Sequence, residues 1–375
     1  MLDFIAKVRI VLGWLKNIKI IVFLREFVIF YLQRIVELKN LPESKKYLLR
    51  IPGIIGVYTS RQFLYYAPVY LERYVKKIAG EIFEDSDSRE LYYTVFARNI
   101  YSSHFLPGFE EYYEPEEEYN RKLTAIKSEI TGKIEFKSNF FTSKTKKGKY
   151  PALNFANGES YVLPINWFEL SVFSFHMGLK IIPGKYLDYI KDKYIVDGGA
   201  FVGDSSIVLA QYTTKKVLAI EPGAENYKRL QITPGLNQLR DKIDTFNVAL
   251  DEKKRTIKML NHGAGSRVIS LDSKSEGSIG TKTLDELTGE TYKGIGLIKL
   301  DVEGFEMNIL LGSQGIIRRD KPVLLISIYH SGEQYLNIPT YFKEKYSDIY
   351  DFKFIDTNPV HPLAEKVFVC LPKQI

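Results

Sequence analysis

Tyr194-Ile195-Val196-Asp197-Gly198-Gly199-Ala200-Phe201-Val202-Gly203-Asp204-Ser205-Ser206 reads as a buried strand that runs into a glycine-rich turn and then a helix. Gly199 and Gly203 let the backbone turn tightly and approach a ligand closely. Asp197 stands at the strand's end, where ligands of open α/β sheets bind. The spacing is D-x-G-x-x-x-G and lacks the middle glycine of the dinucleotide fingerprint G-x-G-x-x-G. A pyrophosphate wants backbone N–H groups at a helix N-terminus. Here the acids Asp197 and Asp204 flank the turn instead. They repel phosphate and suit a ligand carrying an amino group and a sulfonium. Taken alone, the segment also fits a plain strand-to-helix turn.

The flanking sequence carries the argument further. Val217–Ile220 is the next apolar strand and ends at Glu221-Pro222. A carboxylate about 20 residues beyond the first strand is placed to take both ribose hydroxyls of a nucleoside. Ile243–Val248 reads as a third strand, and Asn247 near its end is assigned to the same pocket, as is Ala200 in the turn. Gly296–Leu300 ends at Asp301, followed by Glu303 and the helix Phe305–Leu311. Glu306, on that helix's first turn, reads as compensation of the helix dipole. Val323–Tyr329 ends at His330, and Phe352–Ile355 and Lys366–Leu371 close the series. Thr256–Leu260 and Val268–Leu271 read as a hairpin excursion. Continuous apolar strands alternating with helices predict a doubly wound, mostly parallel, seven-stranded sheet.

Successive strand-end acids therefore converge on one crevice. Glu303 and Tyr329 are assigned to its acceptor side, and Asp301 and His330 are the candidate catalytic pair. Histidine titrates near neutral pH, so His330 is read as a base, as a hydrogen-bonder to substrate or as a structural residue. The other histidines form no ligand-spaced cluster, so no zinc site is expected; a Mg²⁺ held by Asp301 and Glu303 is the lesser alternative.

At these residues the sequence resembles the FkbM family of methyltransferases. The matching segments are VDGGAFVGDS, AIEPGAENYKRL, TKTLDEL, IKLDVEGFEMNILLGS and LLISIYH, in the family's order over residues 194 to about 371. The resemblance implies a Rossmann-like methyltransferase sheet and methyl transfer from S-adenosylmethionine, usually to a hydroxyl. Family substrates are often sugars of glycans, glycolipids or natural products. Carried over by position, Asp197, Gly199 and Gly203 would form the cofactor loop, Glu221 would bind the ribose, and Asp301 and Glu303 would line the reaction crevice. The family usually has Asn where Phe201 stands, so a polar contact there is not carried over.

Residues 1–150 are not covered by this resemblance. The first forty are strongly apolar, but Lys16, Lys19, Arg25, Glu26 and Arg34 interrupt them at near-helical intervals. The longest uncharged run falls far short of the roughly 18–20 residues of a membrane span. Two amphipathic helices are expected, packing on protein or lying on a membrane surface. A helical region over 41–150 follows. Its signals include helical spacing over Tyr70–Phe83, a cap at Asp85 or Asp87, and the acidic helix start Glu116-Glu117-Glu118 after Pro115. The basic stretch Thr142–Lys149 reads as an exposed loop at a domain boundary, with the methyltransferase-like domain over 151–375. The turn Asn157-Gly158 separates two strand-like runs.

Composition is that of a globular chain of 375 residues, 45% hydrophobic and 26% charged, long enough for two domains. One cysteine, Cys370, forms no internal disulfide and sits in an apolar run, which points to a reducing, cytoplasmic setting, with the inner face of the membrane as the alternative. A net charge of +7 is compatible with an anionic partner, but no nucleic-acid-binding spacing accompanies it, and no nucleic-acid partner is expected. The expected partner is a small-molecule or glycan acceptor, with a homo-oligomer also admitted. Two rivals stand beside a methyltransferase: a nucleotide-cofactor enzyme on the same sheet, and a non-catalytic, membrane-associated scaffold.

Overall fold

The computed structural model describes residues 75–101, 116–137, 139–260, 267–271, 278–330, 332–360 and 364–375. The expectations for residues 1–40 and for most of 41–115 lie outside the described residues. Two compact units divide the chain, Met1–Ile82 with Tyr92–Tyr112, and Phe83–Leu91 with Tyr113–Ile375. In the first, residues 75–82 are helical, and Val75, Ile78, Ala79 and Ile82 are buried at the expected spacing of three and four. The helix Ser86–Tyr101 starts at the expected cap, where Asp85 Oδ1 accepts the Ser88 N–H at 2.8 Å.

The second unit opens with the helix Glu116–Ser128, whose acidic first turn matches expectation. The helical pattern does not continue to Phe136. Instead β1 (Ile134–Lys137), β2 (Phe140–Ser143) and β3 (Phe168–Glu169) form a small antiparallel sheet in that order. Ile134 and Phe136 alternate with exposed Glu135 and Lys137, which is strand periodicity. The stretch expected as a loop over Thr142–Lys149 is largely strand as well, since Lys146–Lys147 pairs with Tyr150–Phe155. The expected Asn157-Gly158 turn is present: Tyr150–Phe155 pairs antiparallel with Ser160–Val162, and Gly158 has φ +93°.

The main sheet has seven strands, as expected. They are β4 (Tyr194–Gly198), β5 (Val217–Ile220), β6 (Ile243–Phe246), β7 (Ile295–Leu300), β8 (Val323–Ser327), β9 (Tyr350–Asp356) and β10 (Lys366–Pro372), in spatial order β6-β5-β4-β7-β8-β10-β9. Neighbours pair in parallel except at β10, which runs antiparallel to both β8 and β9. Every residue of β5, β7 and β8 is buried, as a sheet covered on both faces requires. Cys370 lies buried in β10, and burial pushes its thiol up. The expected hairpin is present, Thr256–Leu260 against Arg267–Leu271, with Ser278–Lys282 as an unexpected third strand.

The helices that matter to the site follow the strand ends: α1 (Asp204–Leu209), α2 (Ala224–Leu230), α3 (Glu306–Leu311) and α4 (Gln314–Asp320). After β4 the chain moves outward to β5 and β6, then returns to place β7 on the other side of β4. This reversal between β4 and β7 opens a crevice at the strands' carboxyl ends. Among the described residues, no helix is long and apolar enough to cross a membrane.

Candidate functional site

The first loop is built by hydrogen bonds that turn its polar groups inward. Asp197 is fully buried. Its Oδ2 accepts from Ser205 Oγ at 2.7 Å and Ser206 Oγ at 2.5 Å, and its Oδ1 lies 3.1 Å from Lys299 Nζ. Asp197 thus anchors the start of α1 and does not reach the cavity. Gly199 has φ +77°, and a Cβ there would lie 1.9 Å from the Asp301 carbonyl oxygen, so only glycine lets the two loops meet. Gly203 precedes α1 with φ +89°. Ala200 is buried, and its N–H donates to the Ile220 carbonyl at 3.0 Å.

Glu221 joins three segments. Its Oε1 accepts the Gly223 N–H at 2.8 Å and the Asn226 amide at 3.4 Å, and its Oε2 accepts the Phe201 N–H at 3.1 Å. Burial pushes its carboxyl up to about 7 despite these bonds. Asn247 donates to the carbonyls of Glu221 and Pro222 at 2.9 and 3.1 Å, so it shapes the strand end rather than facing the cavity.

Lys299 is a residue that sequence reasoning passed over. It is a buried lysine in the middle of the sheet, whose Nζ donates to the Gly199 carbonyl at 2.8 Å besides pairing with Asp197. Burial works to lower its pKa, but Asp197 and then Asp301 hold its ammonium above the usual lysine range. One lysine inside the apolar run Gly296–Leu300 was a legible sign of a paired internal charge.

The second loop, after β7, centres on His330. Glu306 is fully buried, and its Oε1 accepts the Val302 N–H at 3.0 Å and the Gly304 N–H at 3.4 Å while lying 2.9 Å from His330 Nδ1. It is therefore the clamp of this loop, more than a dipole compensator. His330 Nε2 faces Asp301 Oδ1 at 3.3 Å and Glu303 Oε2 at 3.8 Å. Burial pulls the imidazole pKa down, but the Glu306 contact and the charges of Asp301 and Glu303 outweigh it and push it up to about 9. His330 is thus protonated at neutral pH, a state in which it is not a base. Asp301, Glu306 and His330 also have ligand-type atoms within 4.8 Å of one another. Each imidazole nitrogen already faces a carboxylate, so charge pairing accounts for this trio without an ion.

Tyr329 connects this loop to a carboxyl that the sequence did not flag. Its hydroxyl donates to Glu365 Oε1 at 2.9 Å and lies 3.4 Å from Asp301 Oδ1. Burial, then the Asp301 charge, pushes Glu365 up to about 7. Glu169, on β3, accepts from the Asn139 amide at 3.3 Å. Burial, then Glu365, holds it well above the carboxylate range. Trp167, beside it, stacks on Phe140 with ring centroids 3.5 Å apart and planes 15° apart.

These groups open onto one cavity of about 250 Å³. Phe201, Asp204, Lys299, Trp167, Glu169 and Glu365 are among the residues that line it. Asp301, Glu303, Tyr329 and His330 lie on the lining as expected, as does Gly199. Asp197, Ala200, Gly203, Glu221 and Asn247 build the wall from behind. Burial pushes Asp204 up to about 6.

A family model described as the methyltransferase FkbM domain matches residues 197–353. Among solved structures, the methyltransferase FkbM from Methylobacillus flagellatus KT is similar with a TM-score of 0.51 and 16% identity, covering 81% of this chain. This chain spans 60% of that protein's length. An rRNA methylase from Streptococcus thermophilus gives a TM-score of 0.34 and 13% identity over 50% of this chain and 91% of its own. A putative methyltransferase from Streptococcus mutans, in complex with SAH, gives 0.33 and 12% over 50% and 93%. These last two likenesses are too slight to carry an argument. No curated protein sequence matches. The first structure shows the fold, and residues 197–353 of this chain match the methyltransferase FkbM domain.

Proposed function

We propose that this chain is an S-adenosylmethionine-dependent methyltransferase that methylates a hydroxyl on a sugar of a glycan, glycolipid or related metabolite. The observation that carries the reading is a cavity lined both by Gly199, Phe201 and Asp204 of the first loop and by the Trp167 plate with Glu169 and Glu365. The donor's fit rests on Asp204, which lines the cavity, for its amino group, while Glu221 behind the lining fixes the backbone of Phe201 and Gly223. When bound, S-adenosylmethionine supplies an electrophilic methyl on a sulfonium.

The acceptor's fit rests on Trp167 and the polar residues that line the cavity with it. A sugar ring has apolar C–H faces and a polar rim. The Trp167 plate suits the face, and Asn139, Glu169 and Glu365 suit the rim. Five acids (Glu169, Asp204, Asp301, Glu303 and Glu365) line the cavity against one lysine and one histidine, so a neutral sugar is favoured over an acidic one. Alignment of acceptor oxygen and methyl does most of the work. Asp301 takes the hydroxyl proton as the new C–O bond forms. It passes a proton to Tyr329, whose own hydroxyl proton moves to Glu365. His330, as imidazolium, holds Asp301 in place rather than acting as the base. No metal enters this scheme, and excess chelator is expected to leave turnover unchanged.

The test is transfer of labelled methyl from S-adenosylmethionine to fractionated cell-envelope glycans. Label in neutral sugars supports the reading, and label confined to uronic acids overturns the acceptor assignment. Donor binding with no transfer to any fraction supports the non-catalytic alternative. Cytoplasmic placement, homo-oligomerisation and membrane contact through residues 1–40 belong to the same proposal. Co-sedimentation of the full chain with anionic liposomes, lost on deletion of 1–40, is the expected sign of membrane contact.

A further inference from the structure

The first loop bends into the left-handed region at Gly199, Phe201 and Gly203, with φ of +77°, +47° and +89°. Glycine meets this requirement at two of the three positions without steric cost. A bulky aromatic at the third is an outlier, because its Cβ crowds the neighbouring carbonyl oxygen. The strain is fixed by the surroundings: the Phe201 N–H is held by Glu221 at 3.1 Å, and Ala200 and Val202 on either side are fully buried. Strained residues of this kind persist where the structure over-determines them, and they cluster at ligand sites.

Core packing does not repay this strain. Phe201 is only half-buried, and its ring belongs to the cavity wall beside Gly199, Asp204, Lys299 and Asp301. A ligand in that cavity would meet the part of Phe201 that the protein leaves uncovered. An aromatic face attracts a cation through its quadrupole more strongly than it attracts a neutral thioether of similar shape.

We propose that Phe201 reads the charge of the methyl donor: its ring faces the sulfonium and favours S-adenosylmethionine over the spent product. The inference rests on the cofactor reading above. In the transfer the acceptor oxygen bonds to the methyl carbon. The carbon–sulfur bond breaks with its electron pair staying on sulfur, and the acceptor proton leaves to Asp301. Sulfur thereby passes from positive to neutral, and the cation–π attraction is lost at the moment the product must leave. Phe201 is in this sense a specificity residue for donor against product, and Asp204, Lys299 and Asp301 around it set the remaining field.

Titration calorimetry of S-adenosylmethionine and S-adenosylhomocysteine against the full chain and two variants tests this. Phe201→Leu keeps an apolar wall and removes the π face. It is expected to weaken the donor by about 3- to 30-fold and to leave the product within about twofold. Phe201→Asn, which tolerates the left-handed backbone, is expected to show the same selective loss together with a higher melting temperature of the ligand-free protein. Equal losses for donor and product in both variants, or no loss in either, would overturn the inference while leaving the cofactor reading intact. A wild-type chain that binds neither molecule would remove the cofactor reading and this inference with it.

Discussion

The two loops that meet at the β4–β7 crevice are both acidic, yet they spend their acids differently. In the first loop, Asp197 is consumed by Ser205, Ser206 and Lys299, and Glu221 is tied to three segments. In the second, Asp301 lies on the cavity, between a charged imidazole and the Tyr329 hydroxyl that leads to Glu365. Strand-end carboxylates thus divide into those that build the cavity from behind and those that line it. Hydrogen-bond partners make the division, and sequence position does not.

Separating the two roles gives the largest expected effect. Asp301→Asn removes the proton acceptor and keeps the shape, so methyl transfer should fall ~10²–10⁴-fold with donor affinity unchanged. A parallel loss of donor binding would move Asp301 to the building group. In the other direction, Asp197→Ala leaves Lys299 buried without its carboxylate, which costs about 3–5 kcal/mol in denaturant unfolding. A loss of activity at full stability would show that Asp197 acts directly.

Glu365 offers a finer test. Its carboxyl, pushed up to about 7, must be ionised to receive a proton, so turnover should rise as pH passes about 7. In Glu365→Gln that rise should vanish, leaving a flat, lower profile across the same range. The groups facing it are Asp301, Ser171, Tyr329 and His330, with Glu169 nearby. An unshifted profile would place the final proton acceptor elsewhere.

The smallest expected effect concerns His330. Its folded pKa of about 9 exceeds the unfolded value of about 6.5. Its pairing therefore contributes fully below about 6.5 and is lost as pH rises through about 9. The melting temperature should fall between pH 7 and 9 in the wild type and fall less in His330→Gln. Equal slopes would mean that the imidazole is neutral in the folded protein.

Much of this site was legible in the sequence, because each strand-end residue directly follows an apolar run. Glu221, Asp301 and His330 were found in that way, and the sheet's seven strands with them. What each acid does was not legible. Asp197 lies at the strand end in any parallel sheet, but only the folded distances show it facing Ser205 and Ser206. His330 read as a base because isolated histidine titrates near 6.5, and the three carboxylates that reverse this come from loop and helix positions. The acceptor wall was the least visible. Glu169 sits on a two-residue strand, with Trp167 just before it and Glu365 far away in sequence, and β1 and β2 are too short to stand out from the helical pattern before them. Phe201 was visible as a side chain, but its left-handed backbone was not.

Equilibrium binding of S-adenosylmethionine to the unmodified chain, with NAD as comparator, tests the central claim most directly. The cavity described here predicts one donor molecule per chain and no measurable NAD. Tighter binding of NAD, or no binding of S-adenosylmethionine, would contradict it.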